Sequence, residues 1–166
     1  MNIKRIFIDM DGVLADFNTG GETLTGTPFP NTDKGHNDYD MRKEELTNKR
    51  LFRNLPPMED MHDLVAYVRH TRLPWEILTA AGVINRELVV YDKGEWIREH
   101  VSPSVVVTCT MTGSQKGMFA FEGSVLIDDR IKNIESWEAH GGIGILHTSA
   151  AETIKEMKIL RNGDAS

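Results

Sequence analysis

Residues 3–17 read IKRIFIDMDGVLADF. Ile3, Ile6, Phe7 and Ile8 make a short apolar run, suited to a strand buried on both faces. Asp9 and Asp11 follow, one residue apart, and Gly12 comes directly after them. Charge at the end of a buried strand is costly unless it is paired or bound to metal. A divalent cation with oxygen ligands is the economical explanation. A D-x-D pair alone is a weak signal, because such pairs occur in many loops. At the carboxyl end of an apolar strand it stands where open α/β sheets build their sites.

Outward from this stretch, the chain alternates between strands and helices. Residues 18–55 are the exception. Gly20, Gly21, Gly26, Pro28, Pro30 and Gly35 break up their first half, and 40–49 are polar enough for one short helix. The segment is too long for an ordinary connection. Phe29, Tyr39, Leu51 and Phe52 give it apolar points, so it reads as a small cap inserted after the first strand. The catalytic core is then 1–17 and 56–166.

Past Pro56-Pro57, the spacing of Met61, Leu64, Val65 and Val68 predicts a helix over 58–70. Residues 75–79 form the second strand. A helical stretch ends near His100, with Leu88, Tyr91, Trp96 and Ile97 as inner positions. Residues 105–109 form the third strand, and a loop over 110–123 carries Lys116. Residues 124–127 form the fourth strand, which ends in Asp128-Asp129. A helix over 130–140 points Ile131, Ile134 and Trp137 inward, and 143–147 is the fifth strand. Ser149 and Glu152 have capping-box spacing at the start of the last helix. This alternation implies a doubly wound, five-stranded parallel sheet with helices on both sides.

Composition excludes several classes. The chain has 166 residues, enough for one domain with a substantial core. Its 19 basic and 25 acidic residues leave −6, which argues against a nucleic-acid coat or an anionic-membrane binder. Cys109 is the only cysteine, so no intrachain disulfide can form. No apolar run is long enough to span a bilayer, and the N-terminus lacks a signal peptide's apolar stretch. The expectation is a cytoplasmic protein whose partner is a small molecule.

The polar groups gather at strand ends: Asp9 and Asp11 at the first, Thr79 at the second, Asp128 and Asp129 at the fourth, with Lys116 just upstream. Carboxylates, a hydroxyl and a lysine suit phosphoryl transfer with Mg²⁺, which takes oxygen ligands and keeps water and phosphate in its shell. Asp9 can attack phosphorus as a nucleophile, and Asp11 can protonate the leaving oxygen. Thr79 and Lys116 can hold phosphate oxygens. Phe17 and Phe52 stand at the two junctions of the cap and are candidates for stacking on a base. For Phe52 the alternative is a plain anchor between cap and core. Asp16 reads as a surface acid, Cys109 as core, and Trp75, Trp96 and Trp137 as packing residues.

The chain resembles the haloacid dehalogenase superfamily of phosphohydrolases. Asp9-Met10-Asp11-Gly12-Val13, Thr79 after Ile77-Leu78, Lys116, and Asp128-Asp129 match its four motifs in order. It resembles most closely the 5′(3′)-deoxyribonucleotidases, through DMDGVLADF (9–17), LFRNLPPM (51–58), YDKGEWI (91–97) and GSVLIDD (123–129). Ala80 stands where that family usually has serine, and 18–55 hold no tryptophan. The resemblance implies a sheet of order 5-4-1-2-3, with Asp9 as nucleophile and Asp11 as acid and base. It implies Mg²⁺ held by Asp9, the Asp11 carbonyl and Asp128, with Asp129 in support. It implies a phosphatase of deoxyribonucleoside monophosphates, or of another small phosphoester, and a homodimer. A phosphorelay receiver uses similar groups, but this third strand ends in Thr108-Cys109 rather than an acid. No G-x-G-x-x-G follows the first strand, so a dinucleotide fold fits less well.

Overall fold

The opening strand, β1 (Arg5–Ile8), is buried on both faces, as its unbroken apolar run requires. Ile6 and Ile8 enter the larger core cluster, while Phe7 enters a smaller one with Leu78, Leu126, Ile134 and Trp137. The computed structural model describes residues 2–27 and 42–163. Pro28, Phe29, Pro30, Lys34, Gly35 and Tyr39, which the sequence places in the cap, lie outside the described residues.

β1 is the central strand. It is joined by β2 (Trp75–Ala80), β3 (Val107–Thr110), β4 (Ser124–Asp128) and β5 (Ile143–Leu146). All pair in parallel in the order β3-β2-β1-β4-β5, which is the expected order read from the other edge. Ile8 stands opposite both Ile77 and Ile127, so the ends of β1, β2 and β4 lie side by side. Strand order reverses at β1, where parallel sheets leave a crevice.

The helices are α1 (Phe17–Thr25), α2 (42–48), α3 (Met61–His70), α4 (Arg86–His100), α5 (Ile131–Ala139) and α6 (Ala150–Asn162). Residues from α3, α4 and α6 build the larger cluster on one face of the sheet, and α5 covers the other. Ser149 caps α6 by accepting from the Glu152 amide, as its spacing predicts. The chain leaves β1 and comes back along a narrow neck. Asp16 N donates to Pro56 O at 2.8 Å, and Met58 N donates to Leu14 O at 2.8 Å.

Three expectations need correction. In α4, Tyr91 is exposed and Leu88 only half-buried; the inner face is Val89, Asp92, Lys93, Trp96 and Ile97. Two charged residues hold that face because each has an ionic partner there, a pairing that apolar periodicity does not reveal. Ile131 is exposed at the first turn of α5, where Ile134 and Trp137 already fill the inner face. β3 starts at Val107 rather than 105 and is mostly half-buried, because it is an edge strand with one neighbour.

Gly123 precedes β4 at φ +88°, and a Cβ there would stand 2.5 Å from the Asn2 carbonyl oxygen. Gly26 is also left-handed, at φ +68°, but among the described residues a Cβ there meets nothing within 4 Å. Gly123→Ala is therefore expected to cost about 3 kcal/mol, combining backbone strain with overlap. Gly26→Ala should cost only about 1 kcal/mol, from strain alone. Urea midpoints of the two variants check this, and equal losses would refute the close approach.

Candidate active site

A cleft of about 330 Å³ opens beyond the carboxyl ends of β1, β2 and β4. Asp9, Asp11, Gly12, Ala80, Lys116 and Asp129 line its floor, and Phe17, Lys43, Phe52 and Met111 also line it. Asp9 is fixed by the sheet: its amide donates to the Ile127 carbonyl at 2.9 Å, which extends the β1–β4 ladder by one residue. Lys116 comes from a 3₁₀ turn, Gly113–Phe119, which Thr112 and Gln115 cap reciprocally.

Lys116 is buried between two acids. Its Nζ lies 2.8 Å from Asp9 Oδ1 and 2.5 Å from Asp128 Oδ2. Burial works against its charge, but Asp9 and Asp128 outweigh it and hold the ammonium pKa above the ordinary lysine value. Asp128 also accepts from the Arg130 amide at 3.0 Å and from Asn133 Nδ2 at 2.9 and 3.0 Å. Both of its oxygens are thus engaged by the protein.

Asp129, unlike Asp128, lines the cleft. It lies against Gly12, where a Cβ would stand 2.2 Å from Asp129 Oδ2. Gly12 is also at φ +79°, so two separate constraints require glycine after the D-x-D pair. One oxygen each from Asp9, Asp128 and Asp129 lie within 4.8 Å of one another. Three carboxylates this close repel unless cations stand among them, and Lys116 supplies one positive charge. The donor set therefore fits a hard divalent cation.

Asp11 Oδ2 accepts from Lys93 Nζ at 2.5 Å. Its Oδ1 is buried and has no hydrogen-bond partner among the described residues. Burial pushes the Asp11 pKa up; Lys93 opposes that, and the Asp9 charge adds to it. A carboxyl that holds its proton more firmly suits an acid. Thr79 is fully buried at the end of β2, and its Oγ1 accepts from Lys93 Nζ at 2.9 Å. The structure thus brings Asp9, Asp11, Thr79, Lys116 and Asp128 together at the strand ends.

Sequence reasoning gave no role to Lys93. Its signal was present in YDKGEWI, where Asp92, Lys93 and Trp96 share the helical face of the preceding Val89. Asp16 is also more than a surface acid. It caps α1 by accepting from the Thr19 amide at 3.0 Å, and it lines the cleft. Cys109 is half-buried and burial raises its pKa, which disfavours the thiolate.

Residues 2–161 match the model of a family described as 5′ nucleotidase, deoxy (pyrimidine), cytosolic type C protein. The chain belongs to that family. It is a 5′-nucleotidase-family hydrolase with the haloacid dehalogenase fold. A haloacid dehalogenase-like hydrolase from Streptococcus pneumoniae superposes with TM-score 0.57 at 12% identity, covering 93% of this chain and 90% of its own. A like hydrolase from Xanthomonas campestris superposes at 0.55 with 14% identity, covering 90% and 84%. Another hydrolase from Streptococcus pneumoniae does so at 0.53 with 15% identity, covering 95% and 100%. At such identities these likenesses concern the fold. A search of curated proteins gave no match. Among the described residues of this nucleotidase-family chain, no helix is long and apolar enough to cross a membrane.

The Phe17 and Phe52 rings lie 6.2 Å apart, centroid to centroid, at the cleft. Phe52 is only 4% exposed and belongs to the main core, while Phe17 is half-buried against it. Phe52→Ala is expected to cost roughly 3–5 kcal/mol of stability, the usual range for a buried ring. Phe17→Ala should cost less than half as much. Chemical unfolding of both variants tests this, and equal costs would make Phe17 as much a core residue as Phe52.

Proposed function

We propose that this chain is a Mg²⁺-dependent 5′(3′)-deoxyribonucleotidase that hydrolyses deoxyribonucleoside monophosphates through an aspartyl-phosphate on Asp9. One observation carries the reading. Asp9, Asp11, Lys116 and Asp129 face a single cleft in a chain whose family is described by deoxynucleotidase activity.

In the first half-reaction, an Asp9 carboxylate oxygen attacks phosphorus and the ester P–O bond breaks. Asp11 gives its proton to the departing nucleoside oxygen. In the second, Asp11 takes a proton from water as that water attacks the phosphorus, so inorganic phosphate leaves and Asp9 is restored. Lys116 stays charged throughout and offsets the negative charge beside Asp9. Thr79 supplies a hydroxyl to the phosphate oxygens.

Asp9 and Asp129, with the Asp11 carbonyl, would hold the cation. The family resemblance implies Asp128 as the fourth-strand ligand; here its oxygens accept from Lys116, Asn133 and the Arg130 amide. In this reading Asp128 fixes Lys116, and Asp129, which lines the cleft, takes the ligand position. Bound Mg²⁺ would neutralise the phosphate and screen it from the carboxylates. Residues 18–55 act as the cap, a division supported by the neck that pairs 14–16 with 56–58. Phe17 and Phe52 give that side of the cleft an apolar wall suited to a base.

Asp9→Asn should remove nearly all turnover and leave the fold intact, since an amide is a far poorer nucleophile. Asp11→Asn should lose roughly 10²–10⁴-fold, the usual share of an acid–base group. Phosphate release from a panel of deoxyribonucleoside monophosphates and sugar phosphates checks both, with circular dichroism as the folding control. A large residual rate in Asp9→Asn would sink the covalent route, and a preference for sugar phosphates would sink the substrate class.

The metal assignment has its own test. Excess chelator should abolish activity, and added Mg²⁺ should restore it. Asp129→Asn should raise the Mg²⁺ concentration needed for half-maximal rate, with little change in melting temperature. Asp128→Asn should mainly destabilise, by up to roughly 3–5 kcal/mol, because it weakens a buried ion pair. Reversed outcomes for the two variants would return the ligand role to Asp128.

A further inference from the structure

Lys93 is fully buried, although lysine is almost never so unless paired. An ammonium has three donors. All three are in use, on Asp11 Oδ2 at 2.5 Å, Thr79 Oγ1 at 2.9 Å and the Ala80 carbonyl at 2.8 Å. Its remaining side faces the Phe52 ring, 4.7 Å from the centroid. No donor is left for a phosphate, and Lys93 is not part of the cleft wall. It therefore differs in kind from Lys116, which does line the cleft.

We propose that Lys93 is a positioning residue for leaving-group departure, aiming Asp11 into the cleft from behind and orienting the buried Thr79 hydroxyl beside it. The inference rests on the phosphatase reading above. By holding Asp11 Oδ2, Lys93 leaves Oδ1, which has no partner among the described residues, to meet the leaving oxygen. As the P–O bond breaks, the proton on Oδ1 passes to that oxygen. By donating to Thr79 Oγ1, Lys93 also turns the hydroxyl's own proton away from itself. No acceptor among the described residues takes that proton, so it is available to a phosphate oxygen. The grip on the Ala80 carbonyl fixes the backbone that enters the cleft wall beside Thr79.

Lys93 is itself aimed by its neighbours on α4. Asp92, fully buried, receives Arg50 Nε at 2.9 Å on each oxygen and Arg50 Nη2 at 2.5 Å. One turn on, Trp96 Nε1 donates to the Leu55 carbonyl at 2.7 Å. Two contacts thus clamp α4 to the segment that returns from the insertion, on either side of Lys93.

The test uses two leaving groups. A nucleoside alkoxide needs a proton as it departs, whereas p-nitrophenolate does not. First-turnover release is measured by rapid quench with a deoxyribonucleoside monophosphate and with p-nitrophenyl phosphate. Lys93→Met should slow nucleoside release by roughly 10²-fold, the lower part of an acid's usual share. It should slow p-nitrophenol release less than tenfold. A merely structural lysine would slow both alike, and equal slowing, or none, overturns the inference. Should Lys93→Met not fold, Lys93→Arg keeps the charge but cannot serve three acceptors from one atom. It should shift the ratio of the two rates at least fivefold in the same direction, and an unchanged ratio overturns the inference. Wild-type protein that releases phosphate from neither substrate would instead refute the phosphatase reading, and this inference with it.

Discussion

The structure depends on how it holds several carboxylates at the ends of buried strands. Asp9, Asp11 and Asp128 lie where β1 and β4 finish, and two buried lysines stand among them. An isolated charge in such a place would neutralise or unfold the site. The two lysines are placed differently. Lys116 bridges the acids of two neighbouring strands, and Lys93 ties the second acid of β1 to the end of β2. The strand ends are thus joined by ionic contacts as well as by the backbone ladder. That network is what keeps a reactive set of side chains in one place.

Much of this was legible in the sequence. The apolar run before Asp9, the branched residues of 105–109 and the apolar SVLI of 124–127 pointed to the sheet, and the family resemblance implied its strand order. That Asp9, Asp11, Thr79 and Lys116 gather at the strand ends was readable, because each ends or follows a strand or lies in a strand-linking turn. Lys93 was not, because it sits in mid-helix, where a charged residue ordinarily faces water. Only the fold shows that this helix face turns toward Asp11. The same holds for Asp92, whose partner Arg50 is far away in sequence. Which of Asp128 and Asp129 lines the cleft was also hidden. Adjacent residues at a strand end point in different directions, and only packing decides which meets the cleft.

The glycine after the D-x-D pair shows how fold and chemistry constrain the same position. Its left-handed backbone lets the chain turn sharply off β1, and its missing side chain makes room for Asp129. A side chain here would both strain the turn and push the carboxylate away. The short DMDG stretch therefore contributes to the site what it contains and also what it omits.

The register of β1 has a consequence for how the protein is made. β1 is near the start of the chain, yet Ile8 pairs with Ile77 on one side and Ile127 on the other. A ribosome therefore releases the central strand long before either neighbour exists. Until then its apolar residues are without a core and its acids are without their lysines. Non-local parallel pairing of this kind is slow, and it leaves apolar strands exposed to wrong partners meanwhile. The residues that later confine a phosphate are thus, for most of synthesis, the segment most in need of protection from other chains.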